Sequence, residues 1–425
     1  MTELNMNTIA QGGVASALGF RAGGIHAGFR HNPQRLDMAL VEADELCSAA
    51  GVFTQNVFCA APVIVSRDHL NGVGYGLARA VVINSGIANA ATGPIGIEAA
   101  QRTAALVADT VGCMPEEVLV ASTGVIGQLL DTTPFETGVP VLHAQLQQAD
   151  PAQRESLGHD AACAIMTTDT VSKEAAVSYE STDDAYQGCT FTVGGMAKGS
   201  GMIMPNMATM ISVITTDAPV PADLLHKALT RATQVSFNKV TVDGDTSTND
   251  TCVALASGKA APDNAPLMTE NSQAYKEFEC ALREVTQRLA RAMACDGEGA
   301  TKLVTVIVRG AANDEDADAA ARTVANSPLV KTAIYGRDAN WGRIAGALGR
   351  SGATFNQEEV SIDIMGMPVC RQGLTVPFDE DEALRRFEAS EIVLEADLGA
   401  GQAETTVWTC DFSHEYVSIN GDYRS

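Results

Sequence analysis

Residues 198–217 read KGSGMIMPNMATMISVITTD. Small, flexible residues follow Lys198, then Pro205 and Asn206, and then an apolar run of the kind that forms a buried strand. One hydroxyl stands where loop meets run, that of Thr209, between Ala208 and Met210. A threonine hydroxyl is a weak nucleophile until a base takes its proton. The sequence offers no Ser-His-Asp arrangement: Gly-x-Ser-x-Gly is missing, and no histidine lies near a plausible nucleophile. A free α-amine needs no second side chain, because it sits on the nucleophile's own residue. Its ordinary pKa is about 8, against about 10 for a lysine amine, so it is close to neutral at working pH. A chain break before Thr209 would therefore create nucleophile and base together. Strain in a turn holding Pro205 and Asn206 could press the Thr209 hydroxyl onto the Ala208 carbonyl. An N-to-O acyl shift and hydrolysis would then free the amine, and small Ala208 leaves that carbonyl open to attack. Taken by itself, the spacing favours a plainer alternative, an ordinary β-branched strand residue.

Other segments suggest chemistry and then fail the test of spacing. GGMAKGSGM lacks the Gly-Lys-Ser/Thr order of a phosphate loop, and the glycines of GFRAGGIHAGF do not fit a dinucleotide fingerprint. DGDTSTNDT (243–251) starts like a calcium loop, but its sixth position is Thr248 rather than glycine and its twelfth is not glutamate. Its Asp, Thr and Asn side chains are expected to bind nearby backbone in a tight turn.

The elements that must position these residues alternate between strand-like and helix-like patterns, which predicts an α/β or α+β protein. RAVVIN (79–84) and EVLVAST (117–123) read as short strands, with a helix between them that ends at Gly112. FTVGGMAKGSGM is a strand running into a glycine-rich loop. In residues 274–294, Phe278, Leu282, Val285, Leu289 and Met293 fall on one helical face. A loop, CDGEGATK, and a strand over 303–310 follow.

With 425 residues and 46% hydrophobic content, the chain can build one large domain or two intimate ones. A net charge of −24 with no basic cluster excludes a nucleic-acid face and fits a self-repelling cytoplasmic protein. The acidic runs NDEDADAAAR and PFDEDEALRRFE read as solvated faces. Ten dispersed cysteines without a CxxC pair argue against disulfides and structural metal, and point to a reducing compartment. MTELNMNTIAQGG has neither a basic n-region nor an apolar h-region, and no run reaches bilayer length.

KGSGMIMPNMATM resembles the self-processing site of the ornithine acetyltransferase family, also called bifunctional glutamate N-acetyltransferase. The resemblance covers nearly the whole chain. GFRAGGIHAGF, AAGVFTQNVFCAAPVIVSR, VINSGIANAATG, ASTGVIGQLL, AIMTTDT, FNKVTVDGDTSTNDT, GEGATK, IYGRDANWGRI and SINGDYRS follow the family's pattern in order. The resemblance implies cleavage between Ala208 and Thr209 into an α chain of 1–208 and a β chain of 209–425. Both would share one core in a layered α-β-β-α fold, similar to but topologically distinct from N-terminal nucleophile hydrolases. Thr209 would carry the acetyl group in a ping-pong transfer from N2-acetylornithine to glutamate, with one pocket serving donor and acceptor in turn. Thr123 and Gly124 would form the oxyanion hole, although Thr-Gly after a strand is also an ordinary turn. Thr170, Lys198, Thr209, Glu298, Asn420 and Ser425 would contact substrate, with Thr168 an alternative to Thr170. Lys198 suits a carboxylate and Glu298 the ornithine ammonium. No metal or bound cofactor is implied; some members also take acetyl-CoA as donor. Two αβ units would associate.

The sequence departs from the family pattern in places. Met204 stands at a variable position, Ile87 and Ala91 stand where Asn and Cys are usual, Ala339 replaces Pro, and the last residue is Ser425 rather than Thr. These changes touch specificity more than chemistry. Three other readings stay open: an N-terminal nucleophile aminopeptidase or amidase, a binding module that never cuts itself, and an acyltransferase for another basic amino acid.

Overall fold

Runs of branched apolar residues bounded by glycine and polar turns become strands along the chain, and longer runs of helical period become helices between them. The computed structural model describes residues 4–204 and 210–422. They fall into two units. The first takes Met1–Gly199, Pro205–Asn238 and Thr246–Leu289, and the second takes Ser200–Met204, Lys239–Asp245 and Ala290–Ser425.

The first unit holds β1 (Met6–Thr8), β2 (Phe20–Ile25), β3 (Met38–Phe53), β4 (Tyr75–Ile87), β5 (Val118–Val125), β6 (Lys173–Glu180), β7 (Thr190–Lys198), β8 (Ile211–Thr216) and β9 (Thr251–Ala256). Its helices are α1 (Ala61–His69), α2 (Gly93–Val111), α3 (Thr133–Gln148), α4 (Arg154–Ala164), α5 (Ala222–Gln234) and most of α6 (Gln273–Cys295). The strands form one sheet in the order β1-β6-β7-β8-β9-β3-β4-β5, with β2 added on β3. Alternation along the strands feeds two cores. Met38, Leu40 and Val82 pack with Val107 of α2 and Phe135 of α3. Their neighbours Ala39, Val41 and Val81 pack with Ala161 and Ala162 of α4. The sheet is therefore covered on both faces, as a run of buried α/β strands requires.

The apolar run after Thr209 is β8, and every residue of it is buried. It is antiparallel to β7, with Lys198 opposite Ile211, and parallel to β9, with Ile211 opposite Thr251. Its buried hydroxyls are paired with backbone carbonyls: Ser212 donates to Met196 at 2.9 Å, Thr215 to Val14 at 2.7 Å and Thr216 to Thr192 at 2.8 Å. Pairing of this kind removes the penalty of burying them.

The second unit holds β10 (Leu303–Ala311), β11 (Ser361–Ile364), β12 (Met367–Arg371), β13 (Leu374–Thr375), β14 (Glu391–Asp397) and β15 (Ala403–Cys410), in sheet order β13-β12-β11-β14-β10-β15. Its helices are α7 (Asp314–Ala325), α8 (Pro328–Tyr335), α9 (Trp341–Gly349), α10 (Glu380–Arg386) and α11 (His414–Gly421). Val304, Val306 and Leu394 pack against Ala320 and Val324 of α7 and Leu348 of α9. The acidic runs do more than solvate. Asn313 and Asp379 cap α7 and α10, and the acids that follow occupy first turns, where the helix dipole favours negative charge.

The mixed α/β class expected from the sequence is the one observed. Phe278, Leu282, Val285, Leu289 and Met293 of α6 are fully buried, as their period requires. All ten cysteines are free thiols. Among the described residues no helix is long and apolar enough to cross a membrane.

Candidate functional site

Thr123 and Gly124 lie near the end of β5, beside the last residues of β4. Gly124 has φ of +133°, and a Cβ there would fall 2.2 Å from the Gly86 carbonyl carbon. Only glycine fits that turn, so the pair is not a generic strand end. The β4–β5 ladder slips in register at Ile87, which lies opposite both Thr123 and Val125. Such irregularities re-aim side chains and backbone groups beside active sites. The turn is anchored from behind. The Ser122 hydroxyl donates to Asn84 Oδ1 at 2.6 Å, and Asn84 Nδ2 donates to the Ile87 carbonyl at 3.0 Å. Ile87, one of the departures from the family pattern, thus neighbours the turn. A Gly124→Ala chain should lose roughly 1–3 kcal/mol from backbone strain alone, with more from prying β4 off β5. Urea unfolding measures this.

A second polar anchor comes from the loop before β9. Asn249 Nδ2 donates to the Ala88 carbonyl at 2.6 Å and to the Ser122 carbonyl at 2.8 Å. Two residues on, the Thr251 N–H donates to the Met210 carbonyl at 2.8 Å. The span Asn249–Asp250–Thr251 therefore ties the Thr123 turn to the start of β8. Two peptide units reach at most about 7 Å between Cα atoms. Thr209, Ala208 and Ser425 lie outside the described residues.

Lys198 closes β7 and is buried, at 8% exposure. Its Nζ is 3.9 Å from Asp169 Oδ2. Asp169 also takes Lys173 Nζ at 2.7 Å, the Gly199 N–H at 2.7 Å and the Thr167 N–H at 2.9 Å. Burial by itself would raise this carboxyl. The Lys198 and Lys173 ammonium groups overcome it and hold Asp169 well below the usual carboxylate range. Thr170 is exposed and Thr168 half-buried on either side of it.

In the second unit, Glu298 is buried in the loop after α6. Asn420 Nδ2, on α11, donates to Glu298 Oε2 at 2.7 Å. The Glu298 N–H donates to the Ser200 carbonyl at 2.9 Å, and the Ser200 hydroxyl donates to the Asp296 carbonyl at 2.7 Å. A Cβ on Gly201 would fall 2.3 Å from the Glu298 carboxyl carbon, so only glycine admits this approach. The Met202 and Ile203 N–H groups donate to Asp243 at 2.6 and 2.9 Å, fixing the rest of the loop. Ser413 caps α11, and its hydroxyl donates to the Gly299 carbonyl at 2.6 Å, so the helix bearing Asn420 is tied to the loop bearing Glu298. Met204 Sδ accepts from Asn326 Nδ2 at 3.1 Å.

Glu298 and Asn420 thus meet within their unit. Thr123, Gly124 and Lys198 are placed by separate strands of the other. Sequence reasoning missed Asp169 and Asn249. Asp169 had a signal: Lys173 stands four residues on. Asn249 had only a turn-like segment around it.

The family model for the ArgJ family matches residues 21–425. The chain belongs to the ArgJ family. The arginine biosynthesis bifunctional protein ArgJ of Symbiobacterium thermophilum is 46% identical over 97% of this chain and 99% of its own. That of Chlorobaculum tepidum is 47% identical over 96% of each chain. Among solved structures, the Bacillus halodurans ArgJ protein is 43% identical and covers 49% of this chain and 96% of its own, with a TM-score of 0.47. The ornithine acetyltransferase of Mycobacterium tuberculosis, solved with ornithine, is 37% identical over 48% of this chain and 100% of its own, with a TM-score of 0.41. The resemblance read from the motifs is therefore borne out, and this chain is an acyltransferase.

Proposed function

We propose that the chain breaks itself between Ala208 and Thr209 and then moves an acetyl group from N2-acetylornithine to glutamate. The Thr209 amine takes the proton of its own hydroxyl, which attacks the acetyl carbonyl. Thr123 and Gly124 hold the oxyanion, ornithine leaves, and acetyl-Thr209 remains. Glutamate then takes the acetyl group and departs as N-acetylglutamate. Lys198 meets a substrate carboxylate and Glu298 the ornithine ammonium. Thr170, Asn420 and Ser425 complete the contacts. The cycle uses no metal or bound cofactor, and acetyl-CoA is a further donor to test. Two α and two β chains assemble in the cytoplasm.

One observation carries the reading: the Thr123–Gly124 turn is tied through Asn249 and Thr251 to Met210, the residue after Thr209. Donors at such a turn act on charge that develops only in the tetrahedral intermediate. The sheet supports the break as well. β8 and β9 follow Thr209 in sequence yet stand between β7 and β3, which precede it. Fragments 1–208 and 209–425 would therefore stay locked in one sheet.

The test incubates purified protein with N2-acetylornithine and weighs the quenched fragments. The fragment beginning at Thr209 should gain one acetyl group and lose it on adding glutamate. An unmodified fragment, or peptide hydrolysis in place of transfer, overturns the reading. Glu298→Gln should raise KM for N2-acetylornithine about 10- to 100-fold, the worth of a charged hydrogen bond of about 1.5–3 kcal/mol. Initial rates read this, with kcat little changed.

A further inference from the structure

Arg30 has no role in the scheme above, yet it touches both parts of the first unit that the scheme uses. Its loop, between β2 and β3, folds around a buried carboxylate. Asp37 is 0% exposed and accepts from the Ala27 N–H at 2.6 Å, the Gly28 N–H at 3.3 Å and the Arg30 N–H at 2.9 Å. Asp37 is itself fixed to β4, where its carbonyl accepts from the Ser85 N–H at 2.9 Å. The backbone that launches the Arg30 side chain is therefore held on both sides.

The stem of that side chain runs past Gly86. A Cβ on Gly86, which has φ of +116°, would fall 3.1 Å from Arg30 Cγ. Gly86 stands opposite Gly124 in the β4–β5 ladder, and its carbonyl carbon is the atom that a Cβ on Gly124 would strike. Gly86 is thus a single layer of backbone between Arg30 and the Thr123–Gly124 turn. The far end of Arg30 reaches the segment after α4, where Nη2 donates to the Met166 carbonyl at 2.6 Å. Arg35 Nη2 donates to the next carbonyl, that of Thr167, at 2.9 Å. Cations suit this place, because α4 ends at Ala164 and the end of a helix carries partial negative charge. The Ser85 hydroxyl donates to the Ala164 carbonyl at 2.7 Å, which fixes where the helix stops. Arg30 fixes where the chain goes next. One residue beyond Met166, the Thr167 N–H donates to Asp169, the carboxylate beside Lys198.

We propose that Arg30 is a positioning residue, whose guanidinium holds residues 166–170 at the distance from the Thr123–Gly124 turn that the substrate requires. The inference rests on the roles given above to Thr123, Gly124, Thr170 and Lys198. The two ends of the side chain act on different steps, as long cationic side chains can, with the stem packed and the head bonded elsewhere. The stem buttresses the turn through Gly86 and so bears on the oxyanion and on kcat. The guanidinium places the binding segment and so bears on KM. Both N2-acetylornithine and glutamate should feel it, because one pocket takes them in turn.

The experiment measures initial rates of acetyl transfer and thermal unfolding for the wild type, Arg30→Met and Arg30→Lys. Methionine keeps an apolar stem against Gly86 and drops the donor. KM for both substrates should rise about 10-fold or more, with kcat within about 3-fold, since lost positioning of ground-state contacts appears in KM. Lysine returns a cation that can donate to the Met166 carbonyl, and should bring KM back to within about 3-fold of the wild type. A merely structural role gives another pattern: a partly unfolded sample loses active fraction, so apparent kcat falls while KM stays. That pattern overturns the proposal. So do wild-type constants in Arg30→Met, an Arg30→Lys chain no better than Arg30→Met, or an Arg30→Met chain that fails to fold. All of these leave the proposed function standing. A wild type that moves no acetyl group defeats that function and takes this inference with it.

Discussion

A Thr209→Ala chain should remain one polypeptide of 425 residues, while the wild type separates under denaturing conditions into 1–208 and 209–425. Alanine removes the only atom able to form the ester through which the proposed break passes. It also removes the proposed acetyl carrier, so transfer from N2-acetylornithine to glutamate should fall by at least about 10³-fold, as loss of a covalent nucleophile generally does. Intact-mass measurement reads the first effect and an acetyl-transfer assay the second. Both should fail together, because one hydroxyl serves both steps. A cut Thr209→Ala chain would mean that another residue or a protease makes the break. An uncut wild type with full activity would remove the α-amine as base. Folding should be unaffected, since β8 begins two residues later and keeps all its pairings.

The second large effect is structural. Asp169→Asn should destabilise the first unit by about 3–5 kcal/mol, because it strips the carboxylate from an ammonium that stays buried. The Lys173 side chain is 0% exposed and 2.7 Å from Asp169 Oδ1. Asparagine can still accept from the Gly199 N–H but cannot neutralise two lysines. Urea or thermal unfolding measures the loss. The pH dependence has a definite sign. The folded-state pKa of Asp169 is lowered, so its contribution is fully present above the unfolded value near 3.8 and fades as pH falls below it. The variant should show a flatter acid limb than the wild type. Loosening Lys198 should also raise KM for the acetylated substrate, and unchanged stability with unchanged KM would dismiss the cluster as ornament.

Much of this arrangement was legible in the sequence where local pattern decides structure. The period of Phe278, Leu282, Val285, Leu289 and Met293 specifies α6, and Gly112 ends α2 in a left-handed cap. Gly201, in the glycine-rich loop after Lys198, marks a close approach to the Glu298 carboxyl. What stayed hidden depends on chain segments far apart in sequence. Asn249 reaches Ala88 and Ser122, more than a hundred residues away, and nothing near it announces that. DGDTSTNDT looked like a turn and is one, with Asn249 N–H donating to Ser247 Oγ at 3.1 Å. Its larger service is long-range. The acidic run NDEDADAAAR, which forms most of α7, was read as solvent-facing, but Ala317, Ala320 and Ala321 within it line the core. GFRAGGIHAGF, tested only as a nucleotide loop, is β2 at its start, with Gly24 pressed against the Asp160 carbonyl.

The placement of β8 and β9 inside the sheet sets an order of events during synthesis. A ribosome that has released only the first 208 residues has made β7 and β3 with bare inner edges and nothing to fill the gap between them. Those edges are filled only after residue 256 has emerged. The proposed scission at 208 would therefore be a late act performed by a finished scaffold, and a gene split at this point would ask two separate translation products to assemble the centre of a sheet from strangers.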